Sequence, residues 1–125
     1  MLDHVGIEVA DFDRSIAFYE AALAPLGIAV VMSPMPQAAG FGSEVGGGVK
    51  PYFWIMARGR PPVSGAHVSF AAVDRDAVDA FHAAALTAGG EDNGKPGLRA
   101  DYGPRYYAAF AIDPDGYRIE AYCGK

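Results

Sequence analysis

Residues 2–9, LDHVGIEV, alternate in character. Val5, Ile7 and Val9 fall on one side of a predicted strand, and His4, Gly6 and Glu8 fall on the other. Asp11 stands where a carboxylate accepts from the free N–H groups of a first helical turn. Phe12, Ile16, Tyr19, Leu23 and Leu26 then recur at helical spacing, and Gly27 stands where a helix ends. Residues 28–33 predict a strand and Pro34 and Pro36 a loop; a weak strand near 40–45 and a firm one over Tyr52–Ala57 flank the glycine turn at 46–48.

The order then starts again. Residues 67–73 predict a strand with His67, Ser69 and Ala71 on one face and Val68, Phe70 and Ala72 on the other. Asp74 predicts the cap of a helix that runs to about Ala88. Residues 91–104 are polar and rich in Gly and Pro, so any strand there is expected to be short. Strands over Tyr106–Ile112 and Tyr117–Cys123 close the chain, joined by Asp113-Pro114-Asp115-Gly116. A three-residue loop with Gly116 in the left-handed region sets Phe110 opposite Glu120. On that register Tyr106, Ala108, Phe110, Arg118, Glu120 and Tyr122 share a face.

The two halves are copies. Slid by 63 positions without a gap, residues 4–27 match residues 67–90 at His4/His67, Val5/Val68, Asp11/Asp74, Phe18/Phe81, Leu23/Leu86 and Gly27/Gly90, among others. The expected organisation is one domain over 1–125, with module one at about 1–60, a linker at 58–66 and module two at about 65–125. Helices on one face of each sheet leave the face with His4, His67 and Glu120 open, an α+β arrangement around a cavity.

Composition narrows the function classes. A net charge of −5 without a basic block argues against nucleic acid. No apolar run has the roughly 18–20 residues of a membrane span, and the N-terminus does not read as a signal peptide. A single cysteine, Cys123, excludes an internal disulfide framework and fits a reducing cytoplasm. It alternates to the face opposite Glu120 and is expected to be packed, and His82 reads as a helix-flank residue.

A strand opening with His, the D-x-x-R-S-I-x-F-Y helix start, a second His half a chain later and the closing DPDG-Y-x-I-E strand resemble the vicinal oxygen chelate superfamily. That group includes glyoxalase I, extradiol dioxygenases and bleomycin-resistance proteins. The resemblance spans essentially the whole chain. It implies two βαβββ modules that form a curved, incomplete mixed sheet around a central cavity. It also implies a divalent metal held by His4, His67 and Glu120. Imidazole and carboxylate ligands suit Fe, Mn, Ni, Co or Zn. Three protein ligands leave room for a small substrate that chelates through two oxygens. The fourth ligand position of some relatives falls here at Trp54 or Ile55, neither of which binds metal. Glu8 stands where glyoxalase I typically carries an Arg that binds glutathione, and a carboxylate there repels an anionic thiol conjugate. Phe110 stands where extradiol dioxygenases usually carry a Tyr.

Trp54, Tyr106, Phe110 and Tyr122 are expected to form an aromatic wall, with Arg118 beside it to hold an anionic group. Glu8 and, more weakly, Tyr106 are the candidate bases. The expected activity is that of a glyoxalase-like lyase or a dioxygenase; the alternative is a bleomycin-resistance-like protein that sequesters a small molecule without catalysis. The resemblance further implies a homodimer. In it, His4 joins His67 and Glu120 from the same chain or, by module exchange, from the other.

Overall fold

The computed structural model describes residues 1–63 and 65–125, so the predicted linker includes one position, Ser64, outside the described residues. Module one runs β1 (Val5–Glu8), α1 (Phe12–Leu23), a 3-10 turn (Ala24–Leu26), β2 (Ala29–Met35), β3 (Ala38–Val45) and β4 (Gly48–Met56). Module two runs β5 (His67–Ala71), α2 (Arg75–Thr87), β6 (Glu91–Leu98), β7 (Tyr107–Ile112) and β8 (Arg118–Cys123). Each module makes its own four-stranded sheet, β1-β4-β3-β2 and β5-β8-β7-β6. The first strand of each pairs in parallel with the last, and the other pairings are antiparallel.

Both helix starts follow the sequence. Asp11 accepts from the Arg14 N–H at 3.1 Å, and Asp74 accepts from the Ala77 N–H at 2.8 Å. Gly27 closes the 3-10 turn at φ 74°, a left-handed conformation that suits glycine. The buried side of α1 is broader than the predicted stripe. Ser15, Phe18, Tyr19, Ala22 and Leu23 are buried, because α1 packs against α2 as well as its own sheet.

Strand lengths depart from expectation in the glycine- and proline-rich stretches. β2 continues through Pro34, β3 starts at Ala38, β4 starts at Gly48, and β6 is eight residues long. β2 and β6 are edge strands with register shifts. An edge strand pairs on one side only, so it tolerates a residue without an N–H, and the bulges absorb Gly94, Pro96 and Gly97.

One apolar core serves both modules. Tyr19 meets Phe53 edge-on at 5.0 Å between ring centroids, and Phe53 meets Phe70 of module two at 5.1 Å. Such pairs add about 0.5–1.5 kcal/mol each beyond the area they bury. Cys123 is buried in this core, on the side away from Glu120. No helix among the described residues is long and apolar enough to cross a membrane.

Candidate metal centre and its surroundings

The open face of module two follows from the register. Phe110 lies opposite Glu120, Ala108 opposite Tyr122, and Ser69 opposite Glu120 on the other side. These side chains therefore point to the face that α2 does not cover. Glu120 is nearly fully buried there, yet both its oxygens are engaged. His67 Nε2 lies 2.8 Å from Oε2, where its N–H donates to the carboxylate. The Tyr106 hydroxyl donates to Oε1 at 2.6 Å. That hydrogen bond, with burial and the Glu120 charge behind it, pushes the Tyr106 hydroxyl up to about 12. Tyr106 is thus a proton donor at neutral pH, one that fixes the carboxylate.

The aromatic residues around this pair are close. Tyr106 and Tyr122 rings lie 4.2 Å apart, and Phe110 lies 6.3 Å from the His67 ring. Arg118 is exposed on the same face, paired in register with His67. Trp54 is on the other sheet, its ring against Gly40, where an added Cβ would come within 2.9 Å of it. It faces Gly6 in register as Glu120 faces Ser69, so Trp54 is the counterpart of Glu120. Ile55 points into the core.

His4 is not brought to His67 and Glu120. It is exposed, with Nδ1 2.8 Å from Asp3 Oδ1. Among the described residues no three His, Cys, Asp or Glu side chains converge closely enough to hold an ion. His4 and His67 nevertheless line one cleft of about 950 Å3, which opens between β1 and β5 beside Val5, Phe53, Ser69 and Phe70.

Glu8 has a partner that the sequence reading missed. Arg58 donates to Oε1 from Nε at 2.7 Å and from Nη2 at 2.5 Å, and its backbone N–H donates to Oε2 at 3.3 Å. Burial raises this carboxyl, but the Arg58 contacts outweigh it and hold it below the usual value. A carboxylate so engaged is a weak base. It also presents less negative charge to a substrate than its position in the sequence implied. The two residues are 50 positions apart, and only the parallel pairing of β1 with β4 brings them together. His82 differs from expectation too. It is buried, with Nε2 2.9 Å from Asp92 Oδ1, because β6 covers that side of α2.

The DPDG turn positions β8. Gly116 sits at φ 94°, and its N–H donates to the Asp113 carbonyl at 3.1 Å. Asp113 accepts from the Tyr19 hydroxyl at 2.5 Å and from the N–H groups of Asp115 and Tyr117, each at 2.9 Å. Asp115 reaches module one, accepting from Ala10 N–H, Arg14 Nη2 and Ser15 Oγ. The turn that leads into the strand of Glu120 is therefore fastened to the start of α1.

The donor chemistry fits part of a metal site. Two ligands at ~2.1 Å from one ion and at right angles to each other stand ~3 Å apart. The 2.8 Å between His67 Nε2 and Glu120 Oε2 suits that arrangement. Tyr106, on the other carboxylate oxygen, is placed as an outer partner that orients a ligand. The pair offers two ligands, and a third must come from elsewhere.

The Glyoxalase/Bleomycin resistance protein/Dioxygenase superfamily model matches residues 1–121. The chain belongs to that superfamily. Members of this superfamily generally use a divalent metal, bind small molecules and often dimerise. Among solved structures, this superfamily member is similar to a glyoxalase/bleomycin resistance protein from Albidiferax ferrireducens T118. The two are 33% identical over 98% of this chain and 97% of that one, with a TM-score of 0.79. A putative glyoxalase from Bacillus halodurans is 26% identical over 98% and 94%, with a TM-score of 0.69. A glyoxalase I variant from Zea mays shares the fold at 23% identity and a TM-score of 0.69; it covers 95% of this chain and 45% of that one. No curated protein matches the chain.

Proposed function

We propose that this superfamily member is a metal-dependent enzyme of the glyoxalase/dioxygenase type, acting on a small substrate that chelates through two oxygens. His67 and Glu120 are two of its metal ligands and His4 is the third. The observation that carries this reading is the His67–Glu120 pair at 2.8 Å with Tyr106 fixing the second carboxylate oxygen. A divalent ion bound there supplies Lewis acidity toward the substrate oxygens. The chain's own contributions are a held carboxylate, a phenol that remains a donor, and an aromatic floor of Phe110, Tyr106 and Tyr122.

In this reading His4 comes from a second copy of the chain. Two observations support it: His4 stands away from its partners within one chain, and uncovered apolar side chains stand on each module, Met32 on β2 of module one and Tyr102, beside Tyr106, in the β6–β7 loop of module two. A C2 dimer that stacks module one of one copy on module two of the other covers these side chains and completes two sites. Each copy is then one domain of two modules, about 1–60 and 65–125.

The test is metal content of protein purified without a His tag. The proposal expects near one divalent ion per chain, or recovery to that level on adding Fe(II), Mn, Ni, Co or Zn, and loss in His67→Ala and Glu120→Gln. A stoichiometry near zero that does not recover overturns it. Trp54 at the counterpart of Glu120 favours a second reading, a sequestering protein without catalysis. It is distinguished by ligand affinity that is unchanged in His67→Ala.

A further inference from the structure

Among the described residues, Arg99 is the one cationic side chain stacked on a ring of this aromatic floor. Its guanidinium carbon sits 5.3 Å from the centroid of Phe110, the ring that also neighbours His67. Nη2 donates to the Lys95 carbonyl at 2.5 Å, which anchors the group. Arg99 is half-buried, and among the described residues it pairs with no carboxylate. Arg14 and Arg58, by contrast, pair with Asp115 and Glu8.

The backbone makes room for this placement. An added Cβ at Gly94 would lie 2.8 Å from Phe110 Cδ2 and 3.3 Å from Arg99 Nη2. An added Cβ at Gly97 would lie 3.1 Å from Nη1. Both glycines belong to the stretch of β6 where the register shifts against β7. A side chain at either position crowds the guanidinium. These two glycines thus explain, in part, why an irregular strand stands here.

A stacked guanidinium uses its flat face against the ring and keeps N–H donors along its edge. An edge of that kind, in the shelter of a ring, suits the two oxygens of a carboxylate or phosphate. We propose that Arg99 determines specificity in this site, by binding a carboxylate or phosphate group of a flat substrate that lies toward the His67–Glu120 pair. The inference rests on the proposed function for the location of the chemistry, but the anion contact itself needs no metal.

The test is calorimetric titration of metal-free protein at fixed ionic strength with benzoate, phenyl phosphate and benzyl alcohol. Wild type should bind one or both anions at least about 10-fold more tightly than the alcohol, the scale of a hydrogen bond to a charged group. The stronger of the two names the anion. Arg99→Gln should remove that preference. Gly97→Val should weaken it while the charge remains. Arg75→Gln, on a residue that stacks on Tyr107 instead, should retain it. Circular dichroism confirms folding of each variant. Equal binding of all three probes to wild type, or an unchanged preference in Arg99→Gln, overturns the proposal. Metal content is measured separately on each protein as purified and after adding back divalent metal, before any metal is stripped for the titration. A protein that holds no metal but keeps the Arg99-dependent preference refutes the metal reading alone, and the converse refutes this one alone.

Discussion

Asp113→Ala removes the acceptor at the centre of the DPDG turn. The Tyr19 hydroxyl is fully buried and has Asp113 as its acceptor. Without it the hydroxyl loses its partner where water does not reach, which costs ~1–3 kcal/mol. The Tyr117 N–H, also buried, loses its side-chain acceptor as well. The Asp115 N–H is partly exposed and can turn to water. The expected loss is therefore ~3–5 kcal/mol, a large part of the ~5–15 kcal/mol that holds a domain folded. Urea unfolding reads it as a lower midpoint at unchanged slope. A cycle with Tyr19→Phe should give a coupling of ~1–3 kcal/mol. The pH dependence has a definite sign. Burial raises the Asp113 carboxyl above its usual value against the pull of its three donors. The folded protein thus holds that proton more tightly than the unfolded chain does. This group's contribution is full below about pH 4 and is lost as pH rises through its folded value. Relative to Asp113→Asn, wild type should be at its best in acid and lose ground toward pH 7. A loss under about 1 kcal/mol in Asp113→Ala, or additive single variants, refutes the reasoning.

Other outcomes follow from single contacts. Gly42→Ala puts a Cβ 1.8 Å from the Lys50 carbonyl oxygen, so the β3–β4 pairing must move, and the thermal midpoint should fall by more than any surface change produces. Asp74→Ala should lower stability by ~1 kcal/mol through loss of the α2 cap, measured by the same urea titration. In Glu120→Gln, Tyr106 loses the charged acceptor that raised it, so its titration followed by carbon NMR should fall from about 12 toward the usual tyrosine value near 10. Glu8 and Asp92, both held below their usual values, contribute stability that is present above about pH 4 and lost as pH falls through their folded values. Arg58→Gln should weaken that acid dependence.

The fold was legible where the chain is locally consistent. The 63-residue repeat, the two Asp caps and the three-residue DPDG loop each specify geometry through neighbours in sequence. They set Phe110 opposite Glu120 as the structure has it. β6 was less legible because Gly94, Pro96 and Gly97 read locally as a loop, whereas pairing with β7 sustains an irregular edge strand. The approach of Arg58 to Glu8 and of Arg99 to Phe110 depends on strand pairing across long or irregular stretches, which periodicity does not encode. At the site, the DPDG register put Phe110 and Glu120 on one face, and alternation put His67 on the polar face of its strand. Neither gave a sign that His4 would stand apart from them.

The separation of His4 from His67 and Glu120 makes a mixing experiment the most direct test of the shared metal site. His4→Ala and His67→Ala chains are purified separately, then unfolded together, refolded and assayed for bound metal. Each variant alone should bind almost none. In a mixed dimer, one site combines both substitutions and the other combines the intact His4 of one chain with the intact His67 and Glu120 of the other. The account predicts that metal binding returns on mixing. Metal binding that stays absent from the mixture, while wild type carried through the same refolding binds it, contradicts a site shared between two chains.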